Sequence, residues 1–225
     1  MGDVVVNEIL FNSFTGGVDF VELFNCSNKI VDVAGWSLIN KVASSGTRSE
    51  RVNEARLFLP GDYLVFTPDP QNIISNYPSQ AQASLLINQR LPSLPDDLGN
   101  ISVLNAVGDT LDSFTYSNEL HSALLDDEDG VSLERINPKN PTQQPGNWFS
   151  AASEVGFASP TRPNSQFRTS GSNPEGEQFF FLTENTVSPD GDGRQDALQI
   201  NYQTPAAGWN ARLRIFDATA VLSKP

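Results

Sequence analysis

The tightest constraint in this sequence is its punctuation. Clusters of Gly, Pro, Asn and Asp recur at short intervals, and the segments between them are short, β-branched and aromatic. Gly16-Gly17, residues 25–28, Pro60-Gly61, Gly99-Asn100, Gly108-Asp109 and Asp129-Gly130 mark the breaks. The segments between them are 4–11, 19–24, 36–40, 57–59, 62–67, 101–104, 111–116 and 131–136. Many short strands separated in this way predict an all-β sandwich or barrel.

Alternation sharpens the reading. Val131 and Leu133 are expected to face inward, with Ser132 and Glu134 toward water. Tyr63 and Val65 oppose Leu64 and Phe66, so that strand is apolar on both faces and is expected to be central. Pro60-Gly61 before it suits the two middle positions of a type II turn. One helix is predicted, over 70–77: Asp69 can cap free N–H groups, Pro70 suits the first helical position, and Pro78 ends it. Residues 79–95 read as a long loop over the sandwich edge.

Composition shifts after Asn147-Trp148. Residues 150–164 are small, polar and proline-bearing, an extended tail expected to pack through Trp148 and Phe157. The run RTSGSNPEGEQ ends the first region, so residues 1–168 are expected to form one domain and 169–178 a linker. Beyond it, 179–182, 197–202 and 211–216 read as three strands. Region 179–225 is shorter than an independent Ig-like domain and reads as the opening strands of a second one.

Charge and composition narrow the chemistry. With 14 Lys and Arg against 27 Asp and Glu, the formal charge is -13, so nucleic-acid binding is not expected. The first 168 residues keep this bias, with 10 Lys and Arg against 20 Asp and Glu. No apolar run approaches a membrane span. The single cysteine, Cys26, allows no internal disulfide, and the single histidine, His121, excludes multi-histidine zinc sites. The opening Met1-Gly2-Asp3 lacks the basic start expected of a secretory signal, which fits a mature form from which a signal has been removed.

Several segments in order resemble the lamin tail domain family, in the form found in exported bacterial proteins. They are VVVNEILFN at 4–12, DFVELFNCS at 19–27, VDVAGWSLIN at 31–40 and LPGDYLVFTPDP at 59–70. LPSLPDDLGNISVLN at 91–105, LDSFTYSNELH at 111–121, GVSLERINP at 130–138 and NWFSAAS at 147–153 complete the series. The resemblance implies an Ig-like β-sandwich over residues 1–168, in agreement with the strand reading. No coiled-coil heptads, basic tail or prenylation motif accompany it, so nuclear filament functions are not carried over. The run Ser188-Pro189-Asp190-Gly191-Asp192-Gly193 followed by Asp196 resembles the start of Ig-like modules near the ends of secreted bacterial proteins.

Asp190, Asp192 and Asp196 form the leading ligand signal. Carboxylates at relative positions 1, 3 and 7, with glycines between, can converge on calcium, which takes several oxygen ligands. Arg194 at position 5 and Asn201 at position 12 depart from an EF-hand loop. The alternative is a Gly-Asp turn leading into a strand. The acidic run 126–129 reads as a solvated turn. His121 lacks a recognisable nucleophile signature and reads as a packing or hydrogen-bonding residue. Glu22, between Val21 and Leu23, reads as a partly buried carboxylate accepting backbone N–H groups. Cys26 is expected to pack as a small hydrophobe. Trp36, Trp148 and Trp209 are expected to be core or edge anchors, and Arg48, Arg51 and Arg56 a surface or edge stretch.

The expected function is that of a non-catalytic structural or interaction module, for adhesion or spacing, in an exported bacterial protein at the cell surface or outside it. The alternative is an accessory domain of a larger extracellular hydrolase, such as a nuclease or phosphatase.

Overall fold

The computed structural model describes residues 2–41, 48–77, 81–123, 125–168, 180–182, 188, 197–198 and 200–202. The chain divides into two units, Met1–Arg168 and Thr169–Pro225. In chain order the first unit contains β1 (Val4–Leu10), β2 (Phe20–Asn25), β3 (Val31–Asp32), β4 (Ser37–Asn40), β5 (Arg48–Arg51) and β6 (Leu57–Phe58). Then come β7 (Tyr63–Thr67), α1 (Pro70–Asn76), β8 (Leu86–Asn88), β9 (Leu98–Leu104), β10 (Thr110–Ser117), β11 (Leu133–Arg135) and β12 (Trp148–Ser150). Three short 3-10 turns, Ala83–Leu85, Asn118–Leu120 and Ser153–Val155, connect them.

Strands β12, β11, β1, β2, β7 and β8 form a six-stranded sheet in that order, and β10, β9, β4 and β5 a four-stranded one. Alternating apolar residues of both sheets meet in one core. Ile9, Val21, Phe66 and Leu133 come from the larger sheet, and Leu38, Ile101, Val103 and Phe114 from the smaller. Phe114 stacks on Trp148 with ring centroids 3.7 Å apart, a geometry that adds to simple area burial. The chain thus folds as an Ig-like β-sandwich, as the strand spacing predicts.

The sheets are also pinned by charge. Arg135 of β11 is 2% exposed and donates from one guanidinium nitrogen to Asp112 Oδ2 of β10 (3.0 Å) and to the Val6 carbonyl (3.0 Å). Its other terminal nitrogen reaches the Asn140 carbonyl at 2.7 Å. Removing one partner of such a buried pair costs about 3–5 kcal/mol, because the other is left uncompensated.

The outer face of the larger sheet is also covered. β7, α1 and β8 form a crossover, and β7–β8 is the parallel pair among the described ladders. Asp69 caps α1, accepting from the Gln71 and Asn72 N–H groups at 3.0 and 3.1 Å. Ile73 and Tyr77 pack with Leu10, Phe20, Val65, Leu86 and Ala158 in a second apolar cluster. Burying a side chain such as Ile73 completely stabilises by about 1.5–3 kcal/mol. The helix ends one residue before the expected boundary, with Tyr77 as its C-cap.

The structure corrects three expectations. Gly99-Asn100 is no break: both residues lie within β9, paired with Tyr116 and Thr115 of β10. The region 79–95 is not simply a loop: β8 lies within it, its Leu86 facing the outer cluster and Ile87 the main core. Ser132 and Glu134 do not face water. Both are fully buried, because the segment 157–167 returns across this face. That segment ends with Arg168 N–H donating to the Ile136 carbonyl at 2.8 Å, just beyond β11.

In the second unit, β13 (Phe180–Leu182) pairs antiparallel with β14 (Ile200–Tyr202). These fall within the predicted strands 179–182 and 197–202. The expected linker 169–178 and strand 211–216 lie outside the described residues.

Candidate functional site

One transverse row of the larger sheet concentrates the chemistry. Register aligns Phe149, Glu134, Glu8, Glu22, Val65 and Leu86 across β12, β11, β1, β2, β7 and β8. The three glutamates are fully buried on neighbouring strands. A bulge in β1 between Val6 and Glu8 leaves Asn7 unpaired. An extra residue of this kind re-aims side chains, and here Asn7 and Glu8 both contact the returning segment.

Each carboxyl is met by donors from that segment. Glu8 Oε1 accepts from the Ser159 N–H at 2.8 Å and from Ser132 Oγ at 2.5 Å. Glu22 Oε2 accepts from the Thr161 N–H at 2.5 Å, and its Oε1 from Asn7 Nδ2 at 2.8 Å. Glu134 accepts from Ser159 Oγ at 2.5 Å, Ser165 Oγ at 2.6 Å and the Gln166 N–H at 2.8 Å. Asn164 adds amide bonds to the Asn7 and Arg135 carbonyls. The backbone at 157–167 therefore bonds to side chains where a further strand would have used a ladder. Thr161 takes φ 68°, a costly conformation for a β-branched residue, and it is there that its N–H meets Glu22.

Burial and crowding tune this ladder. Loss of solvation, followed by the like charge of Glu134, raises the Glu8 carboxyl to about 8. Burial and then Glu8 push Glu22 well above the ordinary carboxylate range. The arrangement fastens the returning segment. Sequence reading anticipated the N–H bond to Glu22 but expected only partial burial where burial is complete, and it missed Glu8 and Glu134 as its neighbours. The signal was the two ELF and ERI-type segments, Glu22-Leu23-Phe24 and Glu134-Arg135-Ile136, each placing a carboxylate inside an apolar strand.

His121 is a packing residue. It is 8% exposed, tilts against Phe11 at 5.5 Å, and its Nδ1 lies 3.0 Å from Ser150 Oγ, itself buried. The Ser150 hydroxyl also accepts the Ser122 N–H. Burial lowers the imidazole to about 4. Trp36 and Trp148 are core anchors, and Trp209 lies outside the described residues. Two packing expectations fail. Cys26 is exposed, its thiol directed at the Gly2 and Asp3 carbonyls, each 3.4 Å away. Phe157, at φ 68°, is 39% exposed.

The acidic turn is a surface feature: Asp126, Asp127 and Asp129 are exposed, and Asp129 Oδ1 accepts from Asn12 Nδ2. Among the described residues no group of three carboxylate, histidine or cysteine side chains is arranged to hold a metal ion. Asp190, Asp192 and Asp196, the expected calcium ligands, lie outside the described residues. No helix among the described residues is long and apolar enough to cross a membrane.

Two sheets closed around one core, with polar side chains latching the outer face, define an Ig-like β-sandwich. The Lamin Tail Domain family model matches residues 1–118, more than half of the sequence, and the chain belongs to that family. No curated protein matches the chain. The match ends before β11 and β12, although both belong to the same sheet as β1.

Proposed function

We propose that the chain serves as a structural and interaction module, for adhesion or partner presentation, in an exported bacterial protein. The observation that supports this best is the carboxyl ladder: its three buried acids are all engaged in holding the returning segment over the sheet. Membership of a non-catalytic Ig-like family supports the same reading. Acidity and a composition rich in Asn, Ser and Thr suit an exported bacterial protein. Exposed Leu57 lies on the small β3–β6 ladder, and exposed Ile30 and Leu59 directly adjoin its strands, an apolar surface available for contact.

The test is fractionation of source cells that carry the tagged native gene, together with binding of the purified, labelled chain to intact cells. The reading expects the tag in the surface or medium fraction and saturable retention of the chain. A Leu57→Lys variant with unchanged melting should be retained several-fold less. Cytoplasmic confinement would overturn the exported assignment, and a hydrolase domain in the same secreted polypeptide would make the module an accessory to it.

A further inference from the structure

A groove of about 370 Å³ opens between the β1–β2 turn and the segment that leads into β9. That volume lies at the small end of ligand sites. Its walls include Val18, Leu91 and Leu94 with Pro68 and Pro92, and Asp19 stands among them. Burial raises the Asp19 carboxyl to about 6, against the Ser13 hydroxyl and N–H, which favour its charged form, and with a further push from Asp96. Among the described residues no cation lies within ion-pair distance of Asp19. Arg90 lines the same groove, but its guanidinium reaches Glu50 at 3.5 Å.

A half-buried anion without a cation carries a cost that a cationic ligand would relieve.

The chemistry selects the ligand. A hard metal ion wants six or more oxygens, whereas Val18, Pro68, Leu91, Pro92 and Leu94 give this groove hydrocarbon walls. An aliphatic stem with a cationic head fits both parts. A guanidinium fits better than an ammonium, because its planar fork can bond several acceptors at once. We propose that this groove receives an arginine side chain of a partner polypeptide, with the stem along Val18, Leu91 and Leu94 and the guanidinium on Asp19. The net charge of -13 would draw such a basic partner in. This rests on the interaction-module reading and gives the partner a chemical character.

The test is an amide-resolved NMR titration of the full chain with acetyl-Gly-Arg-Gly-amide, its lysine counterpart and its citrulline counterpart, the neutral isostere of arginine. The arginine peptide should shift the amides of Ser13, Gly17, Val18, Asp19 and Leu91, saturating at roughly millimolar concentration, as expected for one anchored side chain. The lysine peptide should bind more weakly and the citrulline peptide negligibly. An Asp19→Asn variant, which removes a charge without changing shape, should keep the spectrum of a folded protein and lose at least about tenfold in affinity, the scale of one charge-assisted bond. Equal shifts with citrulline, or undiminished binding by the Asn variant, would overturn the proposal, as would calcium producing the same shifts as the arginine peptide. Failure of cell retention with intact peptide binding would count against the module's role and leave the groove standing.

Discussion

At the scale of single residues, hydrogen atoms decide how the carboxyl ladder works. The Ser159 hydroxyl has one hydrogen, yet its oxygen lies 2.5 Å from Glu134 Oε1 and 3.3 Å from Glu8 Oε2. When that hydrogen goes to the nearer oxygen, the Glu8 contact is made by a proton held on Glu8, in keeping with its raised carboxyl. Glu8→Gln then copies the neutral acid: its carbonyl keeps the Ser132 and Ser159 N–H donors, and its amide donates to Ser159 Oγ. Glu8→Leu leaves those donors without an acceptor, at about 1–3 kcal/mol for each. The sign with pH follows from the same proton. The folded state keeps it from the ordinary value of 4.5 up to about 8 while the unfolded chain gives it up, so stability falls as pH rises through that window. Glu22 acts in the same direction. His121 acts oppositely, but only between about 4 and 6.5, and Asp19, raised to about 6, acts in the same direction as Glu8 but mostly below pH 6.5. Urea unfolding should therefore show wild type less stable at pH 8.5 than at pH 6.5. Glu8→Gln should be near wild type at pH 6.5 with a shallower decline, and Glu8→Leu weaker at both. A wild-type stability that rises across this interval would contradict the assignment.

At the scale of elements, legibility tracked locality. The Asp69-Pro70 start of α1 and the strands bounded by turn pairs were readable because each depends on neighbours in sequence. β8 was hidden, since three residues flanked by polar chain carry no period, and its pairing comes from the crossover through α1. The alternation in β11 was read correctly as to sides: Leu133 faces the core and Glu134 the other face. The error concerned what lies on that other face, because Ser159 and Gln166 arrive there from 25 and 32 residues away. Asn7 was equally opaque, as its exposure to the returning segment depends on a bulge. The Asp190, Asp192 and Asp196 loop is an element-scale expectation of a different kind. Three carboxylates close in sequence repel each other, and calcium would relieve that while stabilising the state that binds it. Calorimetric titration should give a calcium heat for the chain and none for an Asp190→Ala, Asp192→Ala double variant. Equal heats would leave the loop an ordinary glycine turn.

At the scale of the molecule, the first unit is larger than its family match. The match stops at residue 118, whereas β11 and β12 complete the six-stranded sheet and the segment to Arg168 seals its outer face. A chain ending at 118 would leave one side of β1 unpaired and expose Glu8 and Glu22 to water in a sheet otherwise built for burial. Loss of Arg135 would also strand Asp112 between the sheets. Residues 1–168 should melt cooperatively with a near-ultraviolet dichroism signal, and residues 1–118 should show neither; a cooperative melt of the shorter piece would make the later strands dispensable. The bond from Arg168 to the Ile136 carbonyl has a mechanical consequence. β11 runs antiparallel to β1, and the Arg135 guanidinium reaches back to Val6, so Ile136 lies beside the beginning of β1. Polypeptide coming in at Val4 and going out at Arg168 therefore uses the same pole of the sandwich. Force applied between Val4 and Arg168 would therefore peel the unit open from that one pole, bond by bond, instead of shearing whole strands.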